Sequence, residues 1–256
     1  MAHHYQTRDT DLEQPLRNKF FYGKLLDVFH LELETDYLNG KRWLLNRLVT
    51  GCGVVCGLNV DLTTDKKAIV VQPGVAIDCC GREIIVAKTS QPVPLPPPPP
   101  YTETSEKMEG PRRRQSKERR DVCEEEYAHV VLCYRECEAD PVPAMVSDCE
   151  VALCAPGSIR EQYEVRLVKG YAPEKKSAFP DVIEGGRISH HAIVDWVTRP
   201  CRYLPDDCCV PLANILLRDT GKDWEPDPDI YVRPIVFTNH LLYNLIRSLV
   251  RTDESE

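Results

Sequence analysis

The chain has no apolar run approaching the ~20 residues that a helix needs to cross a bilayer, so no transmembrane segment is expected. Its first residues, Met1 to Glu13, are polar and acidic and hold no apolar h-region, so no secretory signal is expected either. An excess of cations is also missing: 32 Lys+Arg stand against 40 Asp+Glu, a net charge of -8. That balance argues against nucleic acid as the main partner, because duplex binding needs lysine and arginine facing phosphate. Neither a Gly-x-x-x-x-Gly-Lys-Ser/Thr phosphate loop nor a Gly-x-Gly-x-x-Gly opening a helix occurs. Gly51-Cys52-Gly53 comes closest, but it follows a helix and precedes a strand, the wrong order for a dinucleotide turn. Ser158 and Ser189 lack a nucleophile elbow. The expectation is a cytoplasmic protein that is not an enzyme.

What is present is a scaffold. Hydrophobic residues at 42% and charged residues at 28% of 256 suit a globular chain able to bury a sizeable core. From Gly51 to Val86, glycine, proline and alternating apolar residues specify a small β-meander. Val54, Val55, Leu58 and Val60 give one strand, Ala68 to Val71 a second, Val75 and Ile77 a third, Glu83 to Val86 a fourth. Pro73-Gly74 and Cys80-Gly81 supply turns, proline by fixing φ and glycine by reaching positive φ.

Ahead of this unit, residues 30–48 carry a helical pattern, with Leu31, Leu38 and Leu45 spaced by seven and Tyr37, Leu44 and Leu48 widening the stripe. Its acidic residues come early and its basic ones late, as the helix dipole favours. The stripe is either core or a helical seam shared between subunits. After the meander, Pro92 to Pro100 reads as a polyproline II spacer or as a ligand for an aromatic groove. The charged segment Thr102 to Glu126, with Arg112-Arg113-Arg114 and Arg119-Arg120, reads as a solvated insertion.

Tyr127 to Tyr134, Ile159 to Val168, Cys209 to Leu217 and Ile230 to Val232 read as strands, and Cys137 to Gly157 as a turn-rich connection. Thr238 caps a final helix whose apolar positions are Leu241, Leu242, Leu245, Ile246, Leu249 and Val250. The expected organisation is an arm at 1–19, a helix plus β-meander attachment unit at 20–91, and a Pro-rich and charged linker at 92–126. A β-rich part continuing the same domain follows at 127–237, then a helix with an acidic tail at 238–256. The fold class is α+β: a mainly antiparallel β domain with an N-terminal amphipathic helix, a C-terminal helix and the insertion.

Twelve cysteines call for an explanation. Without a secretory signal, reduced thiols are expected. Cys133, Cys137, Cys149 and Cys154 form the nearest set to a tetrathiolate, so a structural zinc is the one cofactor the pattern admits, against the plainer reading of small buried hydrophobes and loop thiols. The pairs Cys79-Cys80 and Cys208-Cys209 are weak metal signals, since neighbouring strand residues point to opposite faces. His190, His191 and Asp195 fit one helical face and give an alternative, a metal-dependent enzyme using them with cysteines. The plainer reading there is a surface histidine pair. A third alternative is an adaptor binding through the proline run and the arginine cluster.

From Lys19-Phe20-Phe21-Tyr22-Gly23-Lys24-Leu25-Leu26, through Asp36-Tyr37 and Leu45-Asn46-Arg47, to Gly53-Val54-Val55-Cys56-Gly57-Leu58 and the hairpin Pro73 to Ile84, the chain resembles phage-tail-like proteins of contractile injection systems. It is similar in particular to the attachment portions of phage baseplate and tail-fibre proteins. Ile159 to Tyr163, Cys209 to Ala213 and Arg233 to Leu249 resemble later parts of that pattern. The likeness covers residues 19–90 well, covers 127–170 and 205–250 loosely, and leaves out the insertion; the cysteine load departs from it. The resemblance implies a structural subunit of a contractile tail-like particle, a homo-oligomer docking on baseplate or tail proteins. Leu31, Leu38, Leu45, Leu241, Leu245 and Leu249 are the expected interface residues.

Overall fold

The computed structural model describes residues 14–96, 127–143, 154–173, 179, 183–184, 187–199, 207–217 and 226–250. Asp27 opens the first helix, its side chain accepting from the backbone N–H of His30 at 3.1 Å. Helix α1 runs Val28–Leu45, continues through a π-helical turn at Asn46–Thr50, and stops at Gly51. The meander follows as β1 (Gly53–Gly57), β2 (Val60–Leu62), β3 (Ala68–Val71), β4 (Gly74–Ile77), β5 (Glu83–Val86) and β6 (Val93–Pro94). Next come β7 (Tyr127–Pro143), β8 (Cys154–Lys169), the short β9 (Ile183–Glu184) and β10 (Arg187–Ile188), and helix α2 (His190–Val197). Then come β11 (Val210–Leu216), β12 (Pro228–Asp229), a 3-10 turn at Ile230–Val232 and helix α3 (Asn239–Val250).

The named strands pair antiparallel, in sheets ordered β1-β4-β5, β2-β3-β6, β12-β11-β7-β8 and β10-β9. The fold is α+β and mainly antiparallel. One core unites the three larger sheets: Leu58, Ile69, Val71, Ile84 and Val86 from the meander meet Val130, Leu132, Leu212 and Ile215 from the second half. A parallel bridge joins Val54 to Ile235, with Val54 N–H donating to the Pro234 carbonyl at 2.8 Å and Val236 N–H to the Val54 carbonyl at 3.0 Å. The segment leading into α3 thus closes the open edge of β1.

Three expectations are corrected. The strand expected across Val54 to Val60 is broken at Leu58, which holds φ 60° and carries the chain from one sheet to the next. The start of the proline run is sheet and not spacer: Val93 and Pro94 pair with Ile69 and Ala68, and Leu95 N–H donates to the Lys67 carbonyl at 2.8 Å. Val93 and Leu95 alternate with prolines, so every second residue keeps its N–H and an edge strand forms. The prolines from 97 onward and the arginine cluster lie outside the described residues. Ile230 to Val232 is a 3-10 turn, with Asp229 accepting from Tyr231 N–H at 3.0 Å.

The largest departure lies between β7 and β8. Residues expected to form a turn-rich connection instead prolong the hairpin, from Ala128 paired with Lys169 out to Pro143 paired with Cys154. Through Tyr134 the strand β7 is buried in the body; from Arg135 on it is almost wholly exposed, as is the start of β8. Nine residues beyond Tyr134 make a two-stranded ribbon projecting about 30 Å at the usual strand rise. At its root, Arg82 stacks over the Tyr134 ring at 4.6 Å, and the Tyr134 hydroxyl donates to Glu136 at 2.8 Å.

Candidate functional site

Helix α1 buries none of its side chains. Leu31, Leu38 and Leu45 are 57%, 60% and 60% exposed, on a helix that would span about 27 Å at its ordinary rise. It meets the β body through its last turn. Asn46 Nδ2 donates to the Gly81 carbonyl at 2.9 Å and to Glu83 Oε1 at 2.8 Å, and Arg42 Nε reaches the same oxygen at 3.3 Å. The turn at Gly81 lies directly under the Trp43 carbonyl. The helix is therefore fixed at one end and displays an apolar line along its length. Exposed Phe20, Phe21, Leu25 and Phe29 lie just before or within its first turn and add to that surface.

Helix α3 has the same character. The Thr238 hydroxyl accepts from Leu241 N–H at 3.2 Å, forming the cap that the sequence indicated. Leu241 is half-buried, Leu242, Leu245 and Ile246 are exposed, and Ile235 and Phe237 just ahead are exposed as well. The side chain of Leu249 lies outside the described residues. Five of the six expected interface leucines are thus placed, four of them exposed.

The cysteines are arranged differently from the expectation. Cys80 is bonded to Cys208 and Cys133 to Cys209, so reduced thiols are not the state of these four. Cys208-Cys209 staples two places at once: one sulfur reaches the β4–β5 turn, the other crosses to β7. The alternation that makes adjacent cysteines poor ligands for one metal is what lets them hold two partners. The Cys52 and Cys79 sulfurs also lie close, at 3.3 Å. Arg166 sits over the second bridge, its Nη2 at 2.9 Å from both Cys133 Sγ and Cys209 Sγ and at 3.4 Å from Asp207 Oδ2.

The expected zinc set is not assembled. Cys137 lies four strand residues, about 13 Å, beyond Cys133, and Cys154 pairs with Pro143 still farther out. Sulfurs on one zinc must all lie within bonding reach of the ion. Both thiols are exposed on the ribbon, and Cys149 lies outside the described residues. Among the described residues, Cys133, Asp207 and Cys209 are the group whose ligand atoms converge, within 4.8 Å. Two of those atoms are already bonded to each other, and the Arg166 cation occupies the approach. His190, His191 and Asp195 are all exposed on α2, and no such converging group includes them among the described residues.

One side chain at the ribbon root is electrostatically perturbed. The Tyr134 hydroxyl is pushed well above the usual phenol range, chiefly by burial, then by its bond to Glu136 and that carboxylate's charge, with the charge and hydrogen bonding of Glu161 adding to it. This favours the neutral donor and builds no nucleophile. Among the described residues, no helix is long and apolar enough to cross a membrane. No family model matches the chain, and no curated protein matches it.

Proposed function

We propose that the protein is a non-enzymatic assembly subunit that docks on copies of itself and on neighbouring proteins through α1, α3 and the β7–β8 ribbon. The observation that carries this reading is α1, an 18-residue helix with an apolar line and no buried side chain. In proteins most helical stability comes from packing an apolar face and not from propensity. A two-stranded ribbon without a third layer is marginal alone. Both gain a reason to persist once a neighbour covers them.

The resemblance at residues 19–90 gives the kind of assembly: a contractile, phage-tail-like injection particle, with docking at a baseplate or tail terminus. In this reading the chain is made in the cytoplasm and built into the particle there. The Cys80–Cys208 and Cys133–Cys209 disulfides act as staples once the particle meets oxidising surroundings. Light scattering coupled to size exclusion, with and without sheath, tube and baseplate proteins, tests it. Concentration-dependent oligomers or co-migration with a tail component, lost in Leu38→Glu, is the expected result. A strict monomer at high concentration that binds no tail component overturns it.

A further inference from the structure

Resting on that reading of α1 as a docking helix, we infer that its occupant is α1 of a second copy, lying antiparallel across a two-fold axis at Leu38. Charge and spacing carry the inference. Glu32, Glu34 and Asp36 fall in the first half of the helix, and Lys41 and Arg42 in the second, with Arg47 in the π-helical turn. Leu31 and Leu45 are equidistant from Leu38, and all three are exposed. The leucine line is thus symmetric about Leu38, while the two halves of the helix are opposite in sign.

At about 100° per residue, Glu34 and Lys41 lie about 40° and 60° from the leucine line, on the same side. A two-fold axis through Leu38 sets Leu31 against Leu45 of the second copy. It also brings Glu34 beside Lys41 of that copy, offset by about one residue's rise, and repeats the pair by symmetry. A parallel pair would carry the second copy's Glu34 and Lys41 to the other flank and set Lys41 beside Arg42 of that copy, juxtaposing like charges twice. The anchoring agrees. Each α1 meets its own β body at the last turn, so the antiparallel pair holds the two bodies at opposite ends of the helices.

The test is a charge swap in the full chain, read by sedimentation equilibrium at low salt. Glu34→Lys and Lys41→Glu each replace two attractions by two repulsions, and each should weaken self-association about tenfold. The double variant exchanges the signs and should return to within about threefold of the original. Glu34 is half-exposed and Lys41 exposed, and circular dichroism of each variant checks that the fold is kept. Single variants that associate like the parent, or a double variant as weak as the singles, overturn the pairing. If Leu38→Glu still abolishes association in that case, α1 docks in another geometry, and the assembly reading stands. A monomeric parent whose Leu38→Glu variant loses a tail component also sinks the pairing, again leaving the assembly reading standing.

Discussion

A Cβ placed on Gly81 would fall 2.0 Å from the carbonyl oxygen of Trp43, and Gly81 itself holds φ +90°. The β4–β5 turn is pressed against the last turn of α1 with no room for a methyl group. Gly81→Ala must therefore shift backbone against backbone and strain a left-handed residue, at about 2 kcal/mol or more. Gly40, in mid-helix, is the control, because a Cβ there meets nothing within 4 Å. Gly40→Ala should stabilise by about 0.5–1 kcal/mol. Chemical denaturation of the two variants should move in opposite directions; a Gly81→Ala protein as stable as its parent would refute this anchoring.

Asp78 is fully buried and holds the same turn from beneath. Its Oδ1 accepts from the backbone N–H groups of Cys80 and Arg82, both at 2.9 Å, and its Oδ2 from Arg82 Nε at 2.7 Å. Removing one member of a buried ion pair leaves the other uncompensated, a loss of about 3–5 kcal/mol. Arg82 keeps some exposure, so Asp78→Ala is expected near the lower figure, with Asp78→Asn milder because an acceptor for the turn survives. Urea midpoints of the two variants order the effects.

Each disulfide closes a long loop, with partners 128 residues apart for Cys80–Cys208 and 76 apart for Cys133–Cys209. Replacing Cys133 and Cys209 together by serine should cost about 2–5 kcal/mol. Melting with and without a strong reductant should show a fall of the same kind in the parent and a smaller one in the variant. Mass mapping of an unreduced digest should recover both pairings; finding Cys133 joined to Cys137 or Cys154 would contradict the arrangement.

Alkaline pH should weaken the fold through Tyr134. Its hydroxyl titrates well above the ordinary phenol value of 10.0 in the folded chain and at the ordinary value in the unfolded one. Between those two points the native state binds the extra proton, so stability falls as pH rises above 10.0. Tyr134→Phe should flatten that part of the stability profile. An unchanged slope would mean that the perturbation resides elsewhere.

Much of the fold was legible where local chemistry leaves one solution. The Pro73 to Val86 hairpin was marked by its turn residues, and α3 by the Thr238 cap and its apolar spacing. The leucine line of α1 was also visible, but an amphipathic period has the same form whether the face packs inside or between chains. Only the exposure of Leu31, Leu38 and Leu45 separates those cases. The ribbon was missed because both of its faces meet water, so no apolar alternation marks residues 135–143 as strand. The disulfides were missed because pairing depends on which strands become neighbours, and β7 meets β11 only through the folded topology.

The bridge between Val54 and Ile235 has a consequence for synthesis. Emerging from the ribosome, the first sheet must wait with one side unsatisfied until Ile235 has been translated, and such distant pairings form slowly because a long loop has to close first. In that interval the nascent molecule is sticky along the strand that Pro234 to Val236 will eventually seal.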